Sequence, residues 1–498
     1  MSSFRDFLEA LKENNELKVI DEEVDWELQA PAICAMNQRV GGPAIQFNNV
    51  KDYPDTPLVG SALCGPGFIE WPQVPRRMHA RIAIGMGLGP DTHYDEVLET
   101  ILDRMGSPIR AIEVDAGPSQ EVVIEGKDVD LYKYPIPMLH GGDGGRYLTS
   151  HVIVTRDEEK AWTNMAIRRL MLAGRNTLVQ GGIPRRVQPS HFERIVSKYH
   201  AKGEPAPFAV VIGPPPEMMM AATLASPEGT DEYAFAGGLS LSSIPLVKAK
   251  LSNILVPANA EIILEGHIYP GDVAEEGPFA GISYYLERSG NNFVYRVECI
   301  TQRKNPILPF IMEGARPSDS MCLFSLFHSA ELTRLLRMSG VPVKWVTIPV
   351  EARLCLGIVS LAAQPIPGLP GRASQLMVAN SPFIRQILVV DGDLDSEDLT
   401  TIITDRNFKA SVERDYHISP TMQKPLGWTE NHSFREKLGS WMFIDATWRM
   451  DRDAATIPRR TTFEINFPKE IREKVINNWN EKWKLSPKVW EYEKASKA

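Results

Sequence analysis

From about residue 111 to residue 320 many apolar residues come in short strand-like runs, and this makes the centre of the chain strand-rich. The runs Val122–Ile124, Thr149–Thr155, Phe208–Ile212, Ile262–Leu264 and Phe293–Ile300 are rich in β-branched and aromatic residues. They are bounded by Gly, Pro, Asn and Asp, which favour turns over extended pairing. Many short strands joined by such turns form a barrel or a sandwich.

The flanks read differently. Phe4, Phe7, Leu8 and Leu11 recur at helical spacing behind Ser3, a capping residue with Asp6 three positions on. A strand-like Leu17–Ile20 follows, and short helical and extended pieces alternate to about residue 110. Further on, Leu323, Leu326, Phe327, Ala330, Leu335 and Leu336 form a helical stripe between Leu323 and Met338, terminated by Gly340 and Pro342. Trp345–Val350, Cys355–Leu361 and Ile387–Val390 then read as buried strands of a second α/β unit. In the tail, Ile471, Val475 and Trp479 share one helical face, suited either to a neighbouring subunit or to its own domain. The expected organisation mixes α/β and α+β: an α/β region over 1–110, a strand-rich domain over 111–320, a linking helix over 321–340, and a C-terminal domain over 341–498.

Composition narrows the class. Lys and Arg number 54 against 63 Asp and Glu, a net charge of −9, which disfavours a dedicated nucleic-acid binder but permits a local anion pocket. The most apolar stretch, Phe208 to Leu224, is broken by Pro214, Pro215, Pro216 and Glu217. It falls short of the ~20 continuous apolar residues of a membrane span. The first ten residues mix acids with apolar residues, unlike a signal peptide. Five cysteines, an odd number without a CxxC pair, point to a reducing compartment rather than a disulfide framework or zinc cluster. The expectation is a soluble, cytoplasmic protein.

No P-loop, HExxH, GxSxG or EF-hand loop is present, and no two of the ten histidines are paired at i, i+4 on a plausible helix. Gly85-Met-Gly-Leu-Gly-Pro90 is read as a plain turn, because Pro90 and Asp91 stand where a dinucleotide-binding helix would continue. Four clusters near the ends of expected strands carry more. They are Gly141-Gly-Asp-Gly-Gly-Arg-Tyr-Leu-Thr149, Trp162-Thr-Asn-Met-Ala-Ile-Arg-Arg169, Val256-Pro-Ala-Asn-Ala-Glu-Ile-Ile-Leu-Glu-Gly266 and Glu275-Glu-Gly-Pro-Phe279. In this order and spacing, over essentially the whole chain, they resemble the UbiD family of decarboxylases.

That resemblance implies a split β-barrel flavin-binding domain joined by the linking helix to a C-terminal α/β oligomerisation domain. It also implies prenylated FMN as cofactor, made by a flavin prenyltransferase, with a divalent metal (commonly Mn2+) bridging the flavin phosphate and K+ nearby. By the same match, Asn164, His191 and Glu232 hold the metal, and Thr149, Ile167 and the backbone of Arg168 lie beside the flavin. Such oxygen-rich donors with one imidazole suit Mn or Mg on a phosphate. Without the resemblance, Asn164 reads as a strand-end turn former, His191 as a surface or core histidine, and Glu232 as a solvated acid.

The chemistry gives these residues distinct tasks. Losing CO2 from an unsaturated or aromatic acid leaves an electron pair that no side chain can absorb, so a cofactor must take it. Arg169 matches the family's carboxylate-binding arginine, whose planar fork binds two oxygens at once. Glu276, rather than its neighbour Glu275, matches the acid that pairs with it and relays protons. Two positions depart from the family. Gly281 replaces the second acid, which returns a proton to the product, leaving Tyr284, Tyr285 or water as candidates. Trp448 and Arg449 follow Ile444-Asp-Ala-Thr447, where relatives commonly carry a lysine. The first reading is a decarboxylase with an enlarged pocket, for an aryl-CoA thioester of phthaloyl-CoA type or for a benzoate, phenolic or fused heteroaromatic acid. The second is a relative running mainly as a carboxylase of an aromatic compound or on a substrate that carries its own acid group, and the third a non-catalytic flavin-binding or scaffold relative, which the joint presence of Asn164, Arg169, Glu232 and Glu276 opposes. A homo-oligomer, dimer or hexamer, is the implied assembly.

Overall fold

The computed structural model describes residues 1–65, 78–182, 189–224, 226–282, 285–287, 290–314, 317–364, 366–381, 383–423, 438–461, 463–479 and 482–483. The N-terminal helix, Phe4–Glu13, starts where Ser3 accepts the Asp6 amide, and it buries Phe4, Phe7, Leu8 and Leu11. Beside it runs a four-stranded sheet ordered Leu17–Ile20, Ala44–Phe47, Leu58–Gly60, Leu308–Phe310. Its last strand is contributed by a segment almost 250 positions further along, so the lead region is completed from the far end of the central one.

The centre is a ten-stranded sheet. Its main path runs Tyr147–Leu148, Leu170–Gly174, Thr177–Gln180, Asn291–Gln302, Ile262–Ile268, Ala206–Ile212, His151–Asp157 and Trp162–Ala166. Val273–Glu275 and Val122–Glu125 also pair with Asn291–Gln302. Alternation of side chains sorts the two faces. Val152 and Val154 enter one core with Phe7, Met218 and Leu326, whereas Ile153 enters another with Phe208, Tyr295 and Phe310.

Two acids of the third cluster are structural here. Glu261 is fully buried and takes both ends of Arg5 at 2.9 and 2.8 Å and Arg303 at 3.2 Å, tying the first helix to the sheet. Glu265, also buried, accepts the Leu251 amide at 2.9 Å.

The linking helix spans Asp319–Met338, beginning four residues before the apolar stripe because Ser318 caps it by accepting the Met321 amide. Its first half, with Leu323, Leu326, Phe327 and Ala330, belongs to the core shared with the N-terminal helix. Its second half, with Leu332 and Leu336, belongs to a separate C-terminal core with Ile348, Leu361 and Val389. The C-terminal sheet is ordered Val343–Thr347, Leu356–Leu361, Gln386–Asp391, Leu438–Ala446, Tyr416–Gln423. Helix Lys469–Trp479 in the tail buries none of its residues. Among the described residues no helix is long and apolar enough to cross a membrane. The Gly85 segment ends a six-residue helix, Ala80–Gly85, and Gly87 takes a positive φ of 76°, a turn rather than the start of a nucleotide-binding helix.

Candidate active site

Three of the four clusters converge on Arg169. It lies in the gap between strands Trp162–Ala166 and Leu170–Gly174, so its side chain leaves the sheet edge and points towards the Glu275–Phe279 segment. Arg169 Nε donates to Glu276 Oε1 at 2.9 Å and Nη2 to Oε2 at 3.3 Å, the two-point fork that a guanidinium offers a carboxylate. Glu276 is fully buried, and Tyr147 from the first cluster donates its hydroxyl to Oε1 at 2.8 Å. Glu275 is exposed and lies in the preceding strand. The remaining Arg169 nitrogen, Nη1, donates to Glu287 Oε2 at 2.9 Å. The guanidinium also stacks 4.5 Å from the Phe279 ring, itself 4.4 Å from that of Tyr147.

Burial works against the Arg169 charge, but the hydrogen bond and charge of Glu276, followed by those of Glu287, outweigh it and raise its pKa. Burial, reinforced by the Glu276 charge, pushes the Tyr147 phenol up as well. Arg169 is therefore a fixed cation, and Tyr147 a neutral donor.

The glycine-rich turn packs backbone against backbone on the acid segment. A Cβ on Gly144 would meet the Gly277 carbonyl oxygen at 2.1 Å, and the Gly144 amide donates to Pro278 O at 2.7 Å. Asp143 continues the latch: Oδ1 accepts the Ala280 amide at 2.9 Å and Oδ2 meets His140 Nδ1 at 3.0 Å. Thr149 is buried at the end of this stretch, exchanging hydrogen bonds with Ile311 of 3.0 and 2.9 Å. Nearby, Glu313 is held by Ser318 and Ser320; burial lifts its carboxyl to about 7, those hydroxyls and the Arg169 charge offsetting part of the effect.

A second group forms on the other side of strand Trp162–Ala166. Glu232 opens helix Glu232–Ser240 and is nearly fully buried. Its carboxylate accepts the Met165 amide and Asn164 Nδ2, the latter at 3.2 and 3.3 Å. Burial raises Glu232 to about 8, with the Met165 and Asn164 donors opposing. Asn164 Oδ1 is buried and accepts no hydrogen bond among the described residues. His191 opens helix His191–Ala201 behind the Ser190–Glu193 capping box, its ring 5.1 Å from that of Trp162 in an edge-on arrangement. Burial, then the Arg194 charge, lowers its pKa. No hydrogen bond joins His191 to the Asn164–Glu232 pair, and no three His, Cys, Asp or Glu side chains gather around a metal-sized position among the described residues.

Ile167 packs against the core shared with the first helix. Arg168 lines a cavity of about 300 Å³ with Gln180, Gly181, Gly182, Glu193 and Phe293. That cavity lies across the Gly181 backbone from Arg169, whose carbonyl accepts the Gly181 amide at 2.8 Å.

Three models of one family match the chain in succession: the 3-octaprenyl-4-hydroxybenzoate carboxy-lyase N-terminal domain over residues 8–101, its Rift-related domain over 110–316 and its C-terminal domain over 322–446. The chain belongs to the UbiD family. It is a carboxy-lyase of that type. Pyrrole-2-carboxylic acid decarboxylase of Pseudomonas aeruginosa is 27% identical over 495 residues, spanning 96% of this chain and 97% of that protein. The UbiD-class enzyme HmfF of Pelotomaculum thermopropionicum, in complex with FMN, superposes with a TM-score of 0.81 at 24% identity, covering 94% of this chain and 99% of that one. An evolved dimeric form of HmfF in complex with prenylated FMN gives 0.79 at 24% identity, with 95% and 100% covered. The mixed α/β architecture is thus that of UbiD-class enzymes.

Within this UbiD chain the two departures resolve differently. Gly281 does not open a space. A Cβ built there meets the Glu287 carboxylate at 2.9 to 3.2 Å, so the volume is already filled and Gly281 provides no extra room for a bulky thioester. Tyr285 is 62% exposed, and Tyr284 lies outside the described residues. At the second departure, Arg449 pairs on the surface with Asp451. The buried cation of that region is Lys409, held by Asp391 at 2.5 Å and Asp405 at 2.7 Å beneath the Trp448 ring. Glu287, Tyr147 and Glu313 were not assigned from the sequence. The only sequence signal for Glu287 was an acid shortly after a missing one.

Proposed function

We propose that this UbiD chain decarboxylates a compact aromatic or heteroaromatic carboxylic acid, using prenylated FMN. The observation that carries the reading is the Arg169 fork, anchored on a buried carboxylate where three clusters meet. The pyrrole-2-carboxylic acid decarboxylase likeness, over nearly all of both chains, supports a small heteroaromatic substrate over an aryl-CoA thioester.

The residues present fit the group. Among the described residues Asn164 Oδ1 accepts no hydrogen bond and the buried Glu232 carboxylate meets no cation, so a divalent ion such as Mn2+ would satisfy both. Asn164 and Glu232, with His191 at the start of its helix across Trp162, are the residues that would hold that ion. Thr149, Ile167 and Arg168 would flank the flavin, and K+ would share its anionic charge. When bound, prenylated FMN supplies the electron sink that decarboxylation requires. The chain does the rest. Arg169 orients the substrate carboxylate with the second N–H groups of Nη1 and Nη2, which its bonds to Glu276 and Glu287 do not use, and Glu276 fixes the guanidinium from behind, itself held by Tyr147. Phe279 and Tyr147 keep that corner apolar and exclude water. The same groups serve the reverse reaction, so carboxylation under high CO2 is the second direction of one mechanism.

The test is co-expression with a flavin prenyltransferase, then measurement of CO2 release from pyrrole, indole and hydroxybenzoic carboxylates and from aryl-CoA acids. Turnover of the small acids is expected. A folded chain that carries the modified flavin and releases CO2 from none of them would refute the proposal.

A further inference from the structure

A decarboxylase must return one proton to the carbon that loses CO2, and position 281 offers glycine. The structure puts a carboxylate in that volume from elsewhere. Phe279–Ala280 and Leu286–Glu287 form a short hairpin in which Phe279 pairs with Glu287 and Ala280 with Leu286. The Glu287 side chain reaches Gly281, so a Cβ at 281 would stand 2.9 Å from its Oε1, 3.1 Å from its Cδ and 3.2 Å from its Oε2. Its Oε2 meets Arg169 Nη1 at 2.9 Å, completing an acid–arginine–acid row with Glu276 on the other side.

We infer that Glu287 is the acid that returns the proton, a role displaced six positions along the chain from the glycine. This rests on the decarboxylase reading. The two acids flanking Arg169 are not equivalent. Glu276 has no exposed surface and is fastened at both oxygens by Arg169 and at one by Tyr147. Glu287 meets Arg169 through Oε2, and its side chain is 13% exposed, which gives it access to water for reprotonation.

The step balances. Breaking the bond to CO2 leaves an electron pair on carbon; the Glu287 O–H bond breaks, a C–H bond forms, and the carboxylate remains paired with Arg169. Water then returns a proton to Glu287, so the net change is R–COO⁻ + H⁺ → R–H + CO2.

Three variants test it: Glu287→Gln, Gly281→Glu, and the double variant Gly281→Glu with Glu287→Ala. In the cofactor-loaded enzyme, Glu287→Gln is expected to lower the rate of product formation about 100-fold or more, as loss of a general acid does. Flavin absorbance and fold should be unchanged. The double variant, carrying its acid at 281, is expected to recover most of that rate. Without cofactor, Gly281→Glu alone should lower the thermal midpoint, because two carboxylates then compete for one volume, and Glu287→Ala in the same chain should restore it. A Glu287→Gln enzyme as fast as the wild type overturns the acid role alone. A Gly281→Glu chain as stable as the wild type overturns the shared volume. A loaded wild type that releases no CO2 overturns the decarboxylase reading, and the acid role with it.

Discussion

Replacing Arg169 by Met tests whether the Arg169–Glu276 pair is the strut of the site as well as its tool. Met keeps the length and apolar stem but withdraws the charge from Glu276, which has no exposed surface and, among the described residues, keeps the Tyr147 hydroxyl at 2.8 Å as its side-chain partner. Breaking a buried pair from one side costs about 3–5 kcal/mol, since the orphaned charge stays buried. Glu276→Gln is milder, because Arg169 retains Glu287 at 2.9 Å and the amide can still accept from Tyr147; about 1–3 kcal/mol is expected. In the double variant both charges are gone, so the two losses should not add. A coupling of about 2 kcal/mol is expected between contacting partners of this kind. Urea midpoints of the cofactor-free protein measure it, using a common m-value and a calorimetric check that the central region unfolds in one step. Strictly additive losses, or an Arg169→Met penalty below about 1 kcal/mol, would refute the reasoning, because surface pairs are worth that little.

Two further outcomes follow from buried neighbours. Glu313 is lifted from 4.5 to about 7 by burial, so its contribution to stability is complete below pH 4.5 and is lost as pH rises through 7. That shift corresponds to about 3 kcal/mol; Glu313→Gln should flatten this part of the cofactor-free stability profile, and parallel profiles for variant and wild type would contradict it. Gly181→Ala should cripple CO2 release while sparing expression, because its Cβ would lie 2.2 Å from Arg169 Cγ and 2.3 Å from Nε, and the arginine is pinned by two acids. Full activity in that variant would show that Arg169 has room to move.

Periodicity carried much of the architecture. The runs at Phe208–Ile212 and Phe293–Ile300 are strands, short β-branched and aromatic runs whose two faces enter different cores, and the stripe from Leu323 is the linking helix, with apolar residues three or four positions apart. Spatial order was not readable in this way. Nothing local in Leu308–Phe310 announces that it pairs with Leu58–Gly60. The same limit applies to the site. Arg169 and Glu276 were legible as a pair through the clusters they belong to, whereas Glu287, in a plain Leu-Glu stretch, acquires its partner only when the hairpin turns it inward. Conversely, Glu261 looked like part of a chemical signature and serves as the anchor of Arg5 and Arg303. A carboxylate's type is visible in a sequence; which cation it will face is decided by long-range pairing.

The strand Asn291–Gln302 has a consequence for how the protein is made. It is hydrogen-bonded to Thr177–Gln180, Ile262–Ile268, Val273–Glu275 and Val122–Glu125, so four earlier strands each await it. At about 5–20 residues per second a ribosome takes roughly 15–60 s to reach that point. By the end of that interval the nascent chain has synthesised its arginine and the other strands of this sheet, yet holds unfinished strand edges. Protection of such edges during synthesis, by a chaperone or by slow translation ahead of residue 291, is therefore the step on which the yield of folded enzyme should depend.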